Sequence, residues 1–351
     1  MPADVYFIPI EYVEAFGGLS AAAGHLLARL LNDTNTQPSG EIPVKVHFGE
    51  KGNQTFIPAS CYDGVLQELQ QRGAAPFFIE TNVLYLGQRM HRADHMKLAA
   101  EHGFMQVPVR IADGESGEDY VEVEIDGKHF QKCKVGAMFA QHDTMVVMSH
   151  FKGHVLAGFG GAIKQLAMGC AARGGKMDQH AQATPVILPF KCRKCGLCAR
   201  NCPVDAIRIG VWPRIDASAC IGCAACMAKC PHNAIVPRMW NSLGGCFVER
   251  ITEYALAAQK GKQCLYVSFA TNLTWGCDCQ GQKMRAIAPD LGLLASTDAV
   301  AIDMAALDLL DARPGRKVFR RGRKALEYGE KLGLGSRDYT LRTLRDLADE
   351  S

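Results

Sequence analysis

Eight cysteines fall in two runs of one spacing. Residues 192–203 read CRKCGLCARNCP and residues 220–231 read CIGCAACMAKCP, so the second run repeats the first 28 residues later. The pattern C-x2-C-x2-C-x3-C-P, written twice, is a ligand set for two four-iron, four-sulfur clusters. Three thiolates of each run turn tightly onto one cube, and the fourth leaves on a helix that reaches the other cube. The spacing assigns Cys192, Cys195, Cys198 and Cys230 to one [4Fe-4S] cluster, and Cys220, Cys223, Cys226 and Cys202 to the other. Gly196 and Gly222 stand where backbone must pass close to a cube. Two structural zinc sites are the alternative, but zinc usually takes C-x2-C pairs or Cys/His groups rather than three cysteines and a Cys-Pro. The chemistry that two such clusters perform is one-electron transfer.

Seven cysteines remain: Cys61, Cys133, Cys170, Cys246, Cys264, Cys277 and Cys279. Most read as small core residues, and Cys264 in QCLYVSF fits that description. Cys277 and Cys279 do not. At i and i+2 in extended chain, both thiols point to one side and can share a third metal or form a redox pair. Two thiolates are an incomplete metal set, so a metal there requires a further donor.

Basic and histidine side chains gather after apolar runs that read as strands. Lys45 and His47 end PVKVHF, and Glu50 and Lys51 follow in a loop. Glu80, Thr81 and Asn82 close APFFIE. His150, Lys152 and His154 follow TMVVMS, and Gly158, Gly160 and Gly161 then precede Lys164 at the start of a helix. Glycines before a helix let backbone N–H groups approach an anion, and lysines nearby favour phosphate or carboxylate. Neither the P-loop nor the dinucleotide-binding glycine spacing is present. The expected ligand is an anionic small molecule held by Lys45, His47, Gly158, Gly160 and Gly161. His150, Lys152, His154 and Lys164 are the candidate catalytic groups, with His150 or His154 supplying protons.

The elements that must position these groups alternate. The pattern predicts strands over 43–48, 75–80, 107–113, 144–149, 263–269 and 291–296. Helices are expected from a cap at Ser60 to Gly73, over 91–103, over 241–260, and from the Thr297-Asp298 pair to about Leu310. This rhythm predicts an α/β fold with a mostly parallel, doubly wound sheet, and a two-cluster, ferredoxin-like domain inserted into it. The expected division is 1–185 for the first part of the α/β domain, 186–236 for the insertion and 237–351 for the second part. Two domains in series, cut after residue 236, are the alternative.

Composition bounds the function. The chain has 351 residues with 48% apolar and 21% charged, which excludes a disordered chain. No apolar run is long enough to span a membrane. The first residues, MPADVYFIPIEYVEAFGG, carry three acids and no basic leader, and 15 cysteines without an export signal predict a reducing, cytoplasmic setting. Residues 186–236 hold seven basic and two acidic side chains, and two oxidised clusters would offset most of that excess. The residual charge suits an acidic redox donor such as a ferredoxin or flavodoxin, though it serves equally to balance the clusters. Residues 313–324, RPGRKVFRRGRK, carry seven basic side chains and no acid. Without aromatic interleaving they read as a solvated helix face or a docking surface, not a nucleic-acid site.

Taken together, KVHFGEKGN (45–53), HFKGHVLAGFGGAIKQLAMG (150–169), the two cysteine runs, CDC (277–279), LGLLASTDAVAID (291–303) and EKLGLGSRDY (330–339) give a resemblance. They resemble the ferredoxin-fused branch of the domain-of-unknown-function 362 family. The resemblance implies an α/β domain that carries two four-iron clusters; it implies no reaction. The residues themselves favour a reductase that passes single electrons to an anionic substrate or cofactor in the α/β crevice. The alternative is a non-catalytic electron-transfer subunit that docks onto a larger redox enzyme.

Overall fold

Apolar runs without alternation form strands covered on both faces, and the chain has several. The computed structural model describes residues 2–346 apart from 86, 182–183, 221, 233, 237–245 and 314–317. The chain opens with β1 (Ala3–Pro9) and α1 (Leu19–Asp33), followed by β2 (Gly40–Lys45), α2 (Asp63–Gln71), β3 (Ala74–Glu80), α3 (Arg92–Glu101) and β4 (Val109–Ile111). A side hairpin of β5 (Tyr120–Glu124) and β6 (Lys132–Gly136) leads to β7 (Thr144–His150). The hairpin of β8 (Lys152–His154) and β9 (Gly158–Gly160) then precedes α4 (Ala162–Cys170) and α5 (Arg173–Ala181).

Among the described residues, the cysteine-rich segment contains only short elements: β10 (Val186–Ile187), α6 (Leu197–Arg200), β11 (Ile207–Arg208), β12 (Arg214–Ile215), α7 (Ala225–Ala228) and β13 (Ile235–Val236). Here β10 pairs with β13 and β11 with β12, both antiparallel. Beyond it come α8 (Cys246–Gln259), β14 (Gln263–Ala270), β15 (Gly292–Ser296), α9 (Ala299–Ala312), α10 (Arg320–Lys331) and β16 (Tyr339–Thr343).

Eight strands form the main sheet in the order β16-β1-β15-β14-β7-β2-β3-β4. Only β15 runs against its neighbours, so the sheet is mostly parallel. One face packs on α4, α8, α9 and α10, and the other on α1, α2 and α3. Because β2, β3, β7 and β14 are mutually parallel, Lys45, Glu80, His150 and Ala270 end on one edge. Sheets of this class collect ligands beyond that edge.

Three expectations need adjustment. β1, β16 and the β5–β6 hairpin were not foreseen. Ser60 does not cap α2, which starts at Asp63 after a 3-10 turn over Ala59–Tyr62 and has no side-chain cap. The helix expected over 241–260 is described from Cys246 on, and residues 241–245 lie outside the described residues. The Thr297-Asp298 expectation is met by Asp298, whose carboxylate accepts the amides of Val300 (2.8 Å) and Ala301 (2.9 Å). Among the described residues, no helix is long and apolar enough to cross a membrane.

Candidate functional site

The strand ends carry ion pairs sealed from water. Lys45 Nζ meets Glu80 Oε1 at 2.8 Å and donates to the Val46 carbonyl at 2.6 Å. Arg89, 1% exposed, reaches Glu80 Oε2 at 3.5 Å and Glu50 Oε2 at 3.2 Å. Tyr85 donates to Glu50 Oε2 at 2.9 Å, and Arg89 also bonds Tyr85. Two cations face two carboxylates here, so the buried charges compensate one another. His47 takes the Gly49 amide on Nδ1 at 3.0 Å and has Arg89 at 3.1 Å from Nε2. Burial, reinforced by Arg89, holds its imidazole well below the usual value, so the ring is neutral.

A second set forms where β7 ends. His150 Nδ1 lies 2.9 Å from Asp278 Oδ2, and Nε2 lies 2.7 Å from the Thr271 carbonyl. Lys152 pairs with the same carboxylate. Burial alone would raise the Asp278 carboxyl, but His150 and Lys152 outweigh it and hold it well below the carboxylate range. The Glu50 amide donates to the Asp278 carbonyl at 3.0 Å, which joins the two sets.

Asp278 sits between the two thiols, in a turn rather than in extended chain. The Gln280 amide closes that turn on the Cys277 carbonyl at 2.8 Å. The Cys279 amide donates to Cys277 Sγ at 3.4 Å, and Lys164 Nζ lies 3.6 Å from the same sulfur. The β8–β9 hairpin is anchored by Gly153, whose amide reaches the Thr274 carbonyl at 2.7 Å, and this brings His154 to the thiols. Donor atoms of His154, Cys277 and Cys279 all lie within 4.8 Å of one another, close enough to share a metal ion. His129, Cys246 and Glu249 form a second such group. A hydrogen bond from Cys279 holds the Cys277 thiol well below its ordinary value against the cost of burial, with Lys164 and His154 adding to the effect.

These side chains open onto a cavity of about 460 Å3. Its apolar wall includes Val83, Leu84, Leu156, Met168 and Phe247; its polar wall includes His47, Arg89, His154, Lys164, Lys176, His180, Cys277 and Cys279. Burial lowers Lys176 to about 8 and His180 to about 4. Of the groups read from sequence, His47, His154, Lys164 and the two thiols thus meet at one cavity. Lys45, His150 and Lys152 do not line it; they are buried behind it in ion pairs. Sequence reasoning missed Asp278, Arg89, Lys176 and His180. Only Asp278 had a local signal, its place inside CDC.

Two of the three glycines allow close packing. The first amides of α4 already donate to the Asp303 carboxylate, Ala162 at 2.7 Å and Ile163 at 3.0 Å. A Cβ at Gly161 would collide with that carboxylate, and one at Gly158 (φ +89°) with the backbone at Gly322 of α10. Gly160 lies in β9 beside them. The helix start expected to hold a ligand through Gly158, Gly160 and Gly161 is therefore filled from within the chain. Burial raises the Asp303 carboxyl to about 7.

In the segment 186–236, Cys192, Cys195, Cys198 and Cys230 line one cavity. Cys202, Cys220, Cys223 and Cys226 line another. Each cavity draws three cysteines from one run and the fourth from the other. Gly196 and Gly222 both adopt left-handed backbone at these turns. The segment lies against α5, where a Cβ at Gly174 would touch the Gly222 carbonyl and Cys223 Cα.

Residues 42–308 match the family described as Domain of unknown function (DUF362). The chain belongs to this family. No curated protein matches the sequence. Among solved structures, this DUF362 chain is similar to a Thermotoga maritima protein from a structural-genomics consortium, with TM-score 0.40 and 10% identity over 88% of this chain and 58% of that one. It is also similar to the lactate racemase apoprotein from Thermoanaerobacterium thermosaccharolyticum, with TM-score 0.35 and 9% identity over 76% of this chain and 50% of that one. The chain thus spans 58% of one and half of the other, and likenesses this distant carry no argument.

Proposed function

We propose that this DUF362 protein is an iron–sulfur reductase that passes single electrons through two four-iron clusters to an anionic substrate in the α/β cavity. The observation that carries the reading is the sorting of the eight cysteines into two cavities, each lined by three thiols of one run and the fourth of the other. That is the donor set two cubes require, soft and all-thiolate, and it suits zinc less well. The segment 186–236 is read as a ferredoxin-like insertion between the α/β parts 1–185 and 237–351, in a cytoplasmic protein. When bound, the clusters supply one-electron reducing power. Helix α5 connects the two regions, with Gly174 against Cys223 and Lys176 on the cavity wall.

The chain's own groups do the rest. Lys164 and Lys176 draw an anionic group into the cavity, and the apolar wall takes the remainder of the substrate. Burial lowers the Lys176 ammonium, which is held on the cavity wall by the Thr81 hydroxyl and the Ala171 carbonyl (2.6 Å). His150 is not suited to donate a proton, because both ring nitrogens are committed to Asp278 and Thr271. His154 is kept neutral by burial and by Lys164. The test is to titrate anaerobic, reduced protein with hexanoate and phenyl phosphate while recording electron paramagnetic resonance. A saturable change that weakens at least tenfold in Lys164→Gln supports the reductase; spectra indifferent to both anions contradict it.

One observation favours a second reading. Phe190, Val211 and Trp212 are 76%, 77% and 73% exposed on the cysteine-rich segment, among basic side chains. A surface of that kind suits docking, either by an acidic donor such as ferredoxin or flavodoxin or by a larger enzyme that this chain serves as an electron-transfer subunit.

A further inference from the structure

We propose that Cys277 and Cys279 are a redox-active dithiol that stores, as a pair, electrons reaching the cavity one at a time. The proposal rests on the reductase reading, and it chooses between the two uses that the CDC spacing allows. Geometry first permits the bond. The turn closed by Gln280 sets the residues two positions apart on a tight bend, and their sulfurs lie within 4.8 Å. A small rotation about the side-chain bonds brings them together, and both thiols are free in this structure.

Three features favour the dithiol over a metal. A metal-bound histidine donates its second ring N–H to an acceptor. His154 does the opposite: its Nδ1 accepts the Ala157 amide at 3.0 Å, so the neutral ring carries its proton on Nε2. The Lys164 ammonium, 3.6 Å from Cys277 Sγ, already supplies the cation beside that sulfur. Among the described residues, the donor group also stops at three. These contacts suit a Cys277 thiolate, stabilised by Lys164 and the Cys279 amide, beside a Cys279 thiol that opens to the cavity.

The step balances. The sulfur–sulfur bond takes two electrons, which the clusters would supply when bound, and one proton from the cavity, and yields the Cys277 thiolate and the Cys279 thiol. An organic disulfide carrying a carboxylate is the class of oxidant that restores the bond. The Cys277 thiolate attacks one sulfur and expels the first thiolate. Cys279 then loses its proton and attacks Cys277, which releases the second. Such an oxidant fits a cavity with lysines on one wall and apolar side chains on the other.

The test follows the thiols directly. Anaerobic holoprotein is equilibrated in mixtures of reduced and oxidised dithiothreitol and alkylated, and the tryptic peptide 263–283 is weighed. That peptide carries Cys264, Cys277 and Cys279. Cys277 and Cys279 should lose label together, in proportion to the dithiothreitol ratio, while Cys264, buried in the sheet, stays unpaired. Next, two reducing equivalents per chain from titanium(III) citrate are added to the oxidised protein. In the wild type they should appear as two new thiols with silent clusters; in Cys277→Ser they should appear at once as the resonance of reduced clusters. Thiols that never pair, equal cluster signals in both proteins, or a stoichiometric metal lost in Cys277→Ser would each overturn the dithiol. Iron content of the same samples reports separately. Pairing in an iron-free protein would overturn the cluster reading and keep the thiol pair.

Discussion

The carboxyl edge of the sheet and the cysteine-rich segment hold their chemistry in place by different means. The edge rests on two large apolar cores, one on each face, and these fix the strand ends to which Lys45, Glu80 and His150 belong. Residues 186–236 share a small third cluster, in which Cys198 and Cys226 are themselves core members and Leu84 and Met177 are borrowed from the body. A segment of about 50 residues buries little apolar surface of its own, and on the proposed reading ligation would supply what packing does not. The edge needs its core to tolerate charge; on the proposed reading, the segment would need its thiolates ligated to hold its structure.

Removing metal should break this comparison most visibly. Chelation under oxidising conditions is expected to raise the rate of proteolysis within 186–236 at least tenfold, while the body keeps its thermal transition. Limited digestion with mass mapping reads this out, and equal protection of both regions would mean that the segment stands on packing. Next in size are the buried charges. Asp278→Ala strands His150 and Lys152 in a dry site and should cost about 3–5 kcal/mol in urea unfolding. Asp278→Asn should cost less, because the amide still accepts a hydrogen bond.

The third prediction concerns pH. Asp303 holds its proton to about 7 when folded, well above the carboxyl value of the unfolded chain. Between about pH 4 and 7 the folded state therefore binds more protons, and this group's contribution to stability falls as pH rises. The contribution should amount to about 3 kcal/mol across that range, and Asp303→Asn should flatten it. Urea midpoints at pH 5 and pH 8 for both proteins test the sign. The smallest effects separate two caps. Asp298→Ala should cost about 1 kcal/mol through α9, whereas Ser60→Ala should stay within about 0.5 kcal/mol because Ser60 caps nothing.

These contrasts also mark what was legible in the sequence. The strands at 75–80, 144–149 and 263–269 stand out because strands buried on both faces read as unbroken apolar runs. β1 and β16 do not: residues 3–7 pair with 339–343, and nothing local announces a partner more than 300 residues away. The β5–β6 hairpin stayed hidden for another reason, its strands being half-exposed and rich in charge. The sorting of the eight cysteines into two cavities was readable because both runs carry one spacing along the chain. The cavity was readable only in part. His154, Lys164 and the CDC triplet lie in short recognisable stretches, but Arg89, before α3, and Lys176 and His180, one turn apart on α5, meet them only once the chain is folded. At 158–161, a glycine needed for close packing and one needed for a ligand look alike in sequence. Asp303, far along the chain, takes the first amides of α4.

The most direct test of the account is a metal count with electron paramagnetic resonance on anaerobically prepared protein, compared with Cys230→Ser. The account predicts about eight iron atoms per chain and two interacting four-iron signals. Because Cys230 lines the cavity of the first run and not its own, the variant should disturb the cluster bound by Cys192, Cys195 and Cys198 and spare the one bound by Cys220, Cys223 and Cys226. Stoichiometric zinc without iron, or a variant that loses the cluster of its own run instead, would contradict it.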